Sequence, residues 1–547
     1  MEFIKKNLPW FLALFLVGVG VYSFNLNNPL FWDDDDWIIN NPFVHSLSAE
    51  NIKSIFTTDI LHGFGLNSNY YRPLLLVSFA FNWVLHDSNP IGYHIISNLF
   101  HITNALLIFF LLNWALKNRR VAFLTSFLWL VHPLNVEAVA YISGRGDPMS
   151  VFFILAGLLF FIKSQSLIPN TKYLILSVGA MVLAVLSRET AILFPALAMV
   201  IYISFISKDK FYSAFKKSIW QTLPYWGISV GYMALRLTVL NFQNTLNFYS
   251  QANIYSENLI YRLYTFGSVL IKYFSLILWP TGLHMERSFS VSTSLFQWPV
   301  WLGFIFVVGI LFIVFKKLKT DRVWFFAFGW FFVAISPVSG IIPINAIIYE
   351  HWLYLPLIGV LTLAGYYLDI LLSFIKNKVV LYRLAIVLLA GYMVFLSGSS
   401  AKRNLVWGNT IEFYEDILKH NPNTVRVINN LGNAYAAKGN LSKATEMYER
   451  AISLPDGQTF AQPYYNLANA YRDQNKPKEA SEMYAKAIEV DPNFPFAYKA
   501  LAVLYAKYGY FQEAINVLKA LKKIRPDDMA IDEVIKRLES DLNASRR

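Results

Sequence analysis

The chain has 547 residues, of which 56% are hydrophobic and only 15% are charged, and 17% of all residues are aromatic. A soluble globular domain carries about 25% charged residues, so an ordinary soluble enzyme is excluded, and the wealth of apolar side chains excludes a disordered chain. Lys and Arg exceed Asp and Glu by 12 and cysteine is absent, which leaves no disulfide framework, thiolate metal site or cysteine nucleophile.

A membrane helix needs about 20 mostly apolar residues. Such runs fall at 9–24, 91–116, 121–142, 148–163, 173–187, 190–207, 219–240, 299–315, 323–339, 352–375 and 379–398, which predicts about eleven spans. The first reads as a retained helix, because Tyr22-Ser23-Phe24-Asn25 lacks the small residues of a signal cleavage site. Residues 73–85 are too short to cross and read as interfacial. Residues 259–279 carry Arg262 and Lys272 and read as a re-entrant or surface-lying helix. With the N-terminus in the cytoplasm, the alternate loops hold 18 Lys and Arg, against seven in the longer opposite loops. Positive charge collects on the cytoplasmic side, so an odd span count places everything after residue 400 outside the cytoplasm. The basic excess is thereby explained without nucleic acid. No Gly-rich phosphate loop or zinc-ligand spacing appears either, which disfavours a nucleotide-sugar donor.

The polar residues at the predicted outer ends are the candidates for chemistry. The first outer loop reads Trp32-Asp33-Asp34-Asp35-Asp36-Trp37. Carboxylates this close raise one another's pKa, which can yield a general base. Asp35 and Asp36 also suit a divalent cation, though an isolated acidic run is more often a solvated loop. Arg72, in Tyr70-Tyr71-Arg72-Pro73, reads as a phosphate contact or as a snorkelling interfacial arginine. His132, Glu137, Arg145, Asp147, Arg188, Glu189 and the Tyr349-Glu350-His351 run come from different hairpins, yet the topology puts them on the side of the Asp run. Ionisable residues at a membrane edge are costly and usually pair or function. Arginines suit a lipid phosphate through their bidentate fork, and carboxylates suit removal of a hydroxyl proton.

Beyond residue 400 the composition turns polar and the sequence repeats. Leu431-Gly432-Asn433-Ala434-Tyr435 is echoed at Leu467 and Leu501, with Ala444, Ala480 and Ala514 following and Pro455, Pro492 and Pro526 closing the units. Spacings of 36 and 34 residues match the tetratricopeptide (TPR) period. Residues 408–422 read as half a leading repeat and 527–541 as a capping helix, giving domains 1–400 and 401–547. Asn433, Asn469 and Tyr471 sit at repeated positions able to face a peptide groove, with inter-helix packing the alternative for Tyr471.

The segments DDDDWIINNP (33–42), YYRPLLLVSF (70–79), HPLNVEAVAYISGRGDPMS (132–150), SRET (187–190) and ISPVSGIIPINAIIYEHWLYLP (335–356), followed by the repeats, resemble the transmembrane and TPR O-mannosyltransferase family of the GT-C glycosyltransferase superfamily. The resemblance implies an all-α, GT-C-like bundle ahead of an α-solenoid. It implies a polyprenyl-phosphate sugar donor, mannose or another hexose, and a hydroxyl acceptor on a protein Ser or Thr presented through the repeats. Asp33 and Asp34 match the family's catalytic acidic pair, while Glu350-His351 departs partly from the family pattern. No cofactor is implied, and a divalent cation stays open. The compact, cysteine-free chain looks like a prokaryotic relative in a plasma or inner membrane. The competing readings are a non-catalytic membrane-anchored TPR scaffold for an envelope assembly and a transporter. A transporter would carry ionisable residues at mid-membrane and interrupted, related halves, and the sequence has neither.

Overall fold

The computed structural model describes residues 2–66, 68–165, 170–238, 240, 253–344, 346–526 and 529–545. Part of the predicted 219–240 span and the first two residues of the predicted 527–541 cap fall outside them. Among the described residues the chain is helical without strands, and it divides into Met1–Gly408 and Asn409–Arg547. The division lies beyond the composition break at 400 because the last apolar helix, Val379–Val406, continues through the polar Lys402-Arg403-Asn404.

The first unit is a multi-pass membrane bundle. Lys6–Asn25, Pro90–Leu116, Ile142–Ser164, Glu189–Ile206, Trp298–Lys317, Leu357–Ile375 and Val379–Val406 are each long and apolar enough to cross a bilayer. Arg119–Leu130 and Pro133–Ala140 are long and apolar enough only when taken together, as a pair bent by 54°. The other stretches predicted to span are helical too. Thr171–Ser187 and Val323–Val338 are shorter apolar helices, and Phe211–Leu237 interrupts its apolar run with Lys216, Lys217, Pro224 and Arg236.

Pro133 explains the bend. It has no amide hydrogen and cannot continue the helix, so carbonyls before it lose their partners. Asn135 Nδ2 donates to the Trp129 carbonyl at 2.7 Å, His101 Nε2 and Tyr22 OH reach that of Leu130 at 2.9 and 3.4 Å, and Ser400 Oγ donates to that of Val131 at 2.7 Å. Irregular backbone at membrane depth survives where protein groups take over its hydrogen bonds. Here three other helices and the bend itself do so.

Leu259–Leu278 is an unbroken 20-residue helix. Arg262 near its start donates to the Gly340 carbonyl at 2.6 Å. Leu278 and Trp279 at its end meet Tyr392 and Phe395, part-way along Val379–Val406. The chain then returns, so that the His284 amide reaches Glu350 at 2.8 Å. Gly340 and Glu350 belong to one connection, so the start of this helix and the chain that follows it both contact that connection. The helix crosses Trp298–Lys317 where Gly267 faces Gly303, and a Cβ on Gly303 would lie 2.2 Å from the Gly267 carbonyl oxygen.

In the second unit, Val425–Ala437 pairs with Leu441–Ser453, Ala461–Asp473 with Pro477–Val490, and Pro495–Lys507 with Phe511–Ile524. Thr410–His420 precedes the three pairs and Met529–Ser545 follows them. Small residues set the helix approach, since a Cβ on Gly432 would lie 2.5 Å from the Tyr448 ring. Ala444, Ala480 and Ala514 are fully buried at the matching positions of the three second helices.

Gly303→Leu is expected to force these two helices apart and cost about 1–3 kcal/mol, the usual penalty of overpacking. Gly309→Leu, on the same helix but with nothing within 4 Å of the added carbon, should be neutral. Thermal unfolding of both variants in detergent checks the pair.

Candidate active site

The residues predicted from separate hairpins converge at one end of the bundle. Buried asparagines fix the start of the acidic loop. Asn25 and Asn98 exchange amide hydrogen bonds at 3.0 and 2.9 Å, Asn25 donates to Asn404 Oδ1 at 3.2 Å, and Asn28 donates to the Asn404 carbonyl at 2.9 Å. Phe31 then packs on Trp407, which stacks on Tyr141. Trp32 adopts the left-handed conformation, with φ +65°, which a bulky residue rarely holds and which concentrates at functional sites. After it a short helix opens at Asp33 and continues as a π turn over Asp35–Ile39.

The acidic run separates into different environments. Asp34 is buried, and all its recorded bonds serve the framework: Oδ1 accepts from the Ser143 amide at 2.8 Å and the Ser143 hydroxyl at 2.5 Å, and Oδ2 from the Phe31 amide at 3.2 Å. Burial pushes its carboxyl up to about 7, against the lowering effect of those hydrogen bonds. Asp33 is half-buried and lies within electrostatic reach of Asp34, Asp36, Tyr70 and Tyr141. Burial, with the charges of Asp33 and Asp35, raises Asp36 to about 7. Among the described residues no three His, Asp or Glu side chains form a metal-binding group, so Asp35 and Asp36 gain no third such ligand.

Beside this loop lies a chain of ion pairs. Arg72 Nε donates to both oxygens of Glu189 at 3.0 and 3.2 Å and stacks over Tyr70 at 4.7 Å. Arg236 approaches Glu189 at 4.0 Å, and Arg188 pairs with Asp147 at 2.7 Å. His351, within the field of Asp147, Arg188, Arg72 and Glu350, continues the chain and hydrogen-bonds Glu137 at 2.5 Å. Glu350 accepts from Arg287 at 2.9 Å and faces Arg403 at 3.7 Å. Burial raises the Glu350 carboxyl above its ordinary range, and Arg403 and Arg287 oppose the rise.

Two predicted ligand-binding residues have other duties. Arg145 is fully enclosed, and its guanidinium donates to Ser97, Ser78, Asn82 and the Tyr93 carbonyl. With every nitrogen engaged, it has nothing to offer a phosphate. His132 is also enclosed, with Nε2 on the Ile277 carbonyl at 3.1 Å and Nδ1 accepting from the Leu134 amide at 3.3 Å. It ties the helix bend to the end of Leu259–Leu278. In the repeats, the Asn433 and Asn469 side chains accept from Tyr448 and Tyr484 at 2.8 and 2.5 Å, and Tyr471 donates to Glu449 at 2.9 Å. The two asparagine oxygens are thus taken by hydrogen bonds within the solenoid.

Arg236, Arg287 and Arg403 complete the ion pairs but were not among the residues singled out in the sequence. An arginine inside an apolar run is itself a signal, and Arg236 carried it. Arg287 and Arg403 had no marker beyond their charge.

Residues 425–456 and 461–494 match the tetratricopeptide repeat family. A Caenorhabditis elegans protein O-mannosyl-transferase is 26% identical over 459 residues, covering 81% of this chain and 62% of that protein. The Mus musculus protein O-mannosyl-transferase TMTC3 is 23% identical over 466 residues, 78% of this chain and 49% of its own. The chain is a homologue of the TMTC protein O-mannosyl-transferases. It spans roughly half to three-fifths of the length of these TMTC relatives. Among solved structures, the archaeal oligosaccharyltransferase AglB of Archaeoglobus fulgidus, in complex with an inhibitory peptide and a dolichol-phosphate, is 14% identical with a TM-score of 0.40, covering 85% of this chain and 60% of that one.

Asp34 supplies a test of the loop's electrostatics. A carboxyl with a folded pKa above its unfolded value binds its proton more tightly when folded. Its stabilising contribution is therefore full below about pH 4 and is lost as the pH rises to about 7. The slope is at most about 1.4 kcal/mol per pH unit. Asp34→Asn should flatten the fall of the melting temperature between pH 4 and 7, leaving the remainder to the other carboxyls that burial raises, Asp35, Asp36 and Glu350 among them.

Proposed function

We propose that the chain is a membrane glycosyltransferase that moves a hexose, in the first instance mannose, from a polyprenyl-phosphate donor to a hydroxyl of a protein acceptor outside the cytoplasm. The observation that carries this reading is the half-buried Asp33 beside a chain of buried arginines and carboxylates at one end of the bundle. A non-catalytic anchor needs no such set, and buried ion pairs contribute little to stability on balance.

The reaction is a single displacement. Asp33 removes the proton from the acceptor hydroxyl as its oxygen attacks the anomeric carbon. The bond from that carbon to the phosphate oxygen breaks, and the polyprenyl phosphate departs as an anion that needs little protonation. Arg72, Arg188 and Arg236 lie close enough to one another, through Glu189 and Asp147, to receive the negative charge. Asp34 is the framework member of the acidic pair: it ties the loop to Ser143 and so to the turn that carries Asp147. The repeats present the protein acceptor.

Asp33→Asn keeps the size of the side chain and removes its basicity. Transfer of labelled mannose from polyprenyl-phosphate mannose to a hydroxyl acceptor, in purified membranes, should fall by about 10²–10⁴, the range for loss of a general base. Unchanged transfer would return the chain to the scaffold reading.

The same reading puts the repeats outside the cytoplasm, with an odd number of crossings that leaves out Leu259–Leu278. Reporter fusions at residues 409 and 547 are expected to be active only as extracytoplasmic reporters. A cytoplasmic signal at both would mean that this helix crosses.

A further inference from the structure

His351 belongs to the polar chain, and the reaction above gives it no role. Its Nδ1 meets Glu137 Oε1 at 2.5 Å, and Glu137 is fully enclosed while the imidazole keeps 16% of its side-chain surface. Nε2 has no hydrogen-bond partner among the described residues. Glu137 therefore fixes the plane of the ring and points one polar atom outward, the arrangement by which a buried carboxylate orients a functional histidine.

The surroundings decide what that atom recognises. Tyr349 stacks on His351 at 5.1 Å, and Trp352 meets Tyr349 edge-on at 5.3 Å. All three rings are partly exposed, and the Tyr349 hydroxyl is occupied by Glu286 at 3.0 Å. Burial, with Arg188 and Arg72 adding to it, lowers the imidazole to about 3, so the ring is neutral at physiological pH. The neutral ring brings no charge of its own to a phosphate, which the nearby Arg72 and Arg188 receive instead. A hydroxyl both donates and accepts, so it matches Nε2 whichever nitrogen of the dyad carries the proton. Aromatic faces around a single fixed polar group suit a ring that is apolar on its flat side and hydroxylated at its edge. A metal ion would need further ligands, and none is grouped here among the described residues.

We propose that His351, oriented by Glu137 and flanked by Tyr349 and Trp352, recognises a hydroxyl of the sugar ring carried by the lipid donor. The inference rests on the glycosyltransferase reading and assigns its sugar subsite. Glu137 is a positioning residue and takes no part in the bond changes.

The test compares two lipids, polyprenyl phosphate and polyprenyl-phosphate mannose, binding to the full chain in nanodiscs. In wild type the sugar should add affinity. His351→Phe should weaken the mannosylated lipid about tenfold, one buried hydrogen bond's worth, and leave the bare phosphate lipid unchanged. His351→Gln, which restores a polar edge, should recover most of the loss. If His351→Phe does not fold, Trp352→Leu serves in its place, with the same selective loss expected. Equal weakening for both lipids would overturn the assignment, since the residue would then serve only the framework. Intact donor binding with a raised KM for the acceptor would also overturn it, giving the hydroxyl to the acceptor instead. Failure of wild type to bind either lipid would remove the glycosyltransferase reading itself, and the subsite with it.

Discussion

A helix that breaks inside a bilayer must find new partners for the carbonyls it releases, because lipid supplies none. The break before Pro133 is where this bundle meets that constraint. Tyr22 from the first helix, His101 from the second and Ser400 from the last converge on the Leu130 and Val131 carbonyls. The short segment beyond the break is thereby held against several helices at once, and it carries Glu137, Ser143, Arg145 and Asp147. Ser143 anchors Asp34, Arg145 knits together Ser78, Asn82, Ser97 and Tyr93, and Asp147 opens the chain of ion pairs. Rigid support of this kind keeps a polar site organised before any substrate arrives.

The second constraint is charge. Arg72, Arg188, Arg287 and Arg403 are each at most a tenth exposed, and each lies against a carboxylate. Removing one partner from such a pair leaves an uncompensated buried charge, a cost of about 3–5 kcal/mol. The pairs therefore constrain one another, and the set reads as a single unit that links the acidic loop to the connection containing His351. Arg145 shows the other solution to a buried charge. It has no carboxylate partner among the described residues and is satisfied by neutral oxygens and by the faces of Phe79 and Tyr93.

Much of this was legible in the residues themselves. Apolar run lengths marked the membrane helices, and the recurrence of Leu, Ala and Pro marked the TPR hairpins, because both signals are periodic and local. The topology also brought Arg72, Asp147, Arg188, Glu189, Glu137 and Glu350 to one end. Individual roles were not legible. Arg145 and Arg188 look alike in sequence, both following a serine-containing turn, yet one is sealed by hydrogen bonds and the other paired with a carboxylate. Asp33 and Asp34 are adjacent, but only the fold tells which one faces Ser143. The docking of Leu259–Leu278 on the connection that holds Gly340 depended on which carbonyl Arg262 reaches, a contact 78 residues away in the chain.

The asparagine contacts bear on how the protein is made. Asn25 precedes the acidic loop, and its partner Asn404 follows 379 residues later. Chains emerge at about 5–20 residues per second, so roughly 20–80 s separate the two during synthesis. Until Asn404 and Trp407 arrive, Phe31 lacks the surface it packs on and the loop lacks its final anchor. The polar end of the bundle is thus the last part of the membrane unit to take shape, and a nascent chain halted before the final helix holds its acidic residues without the frame that arranges them.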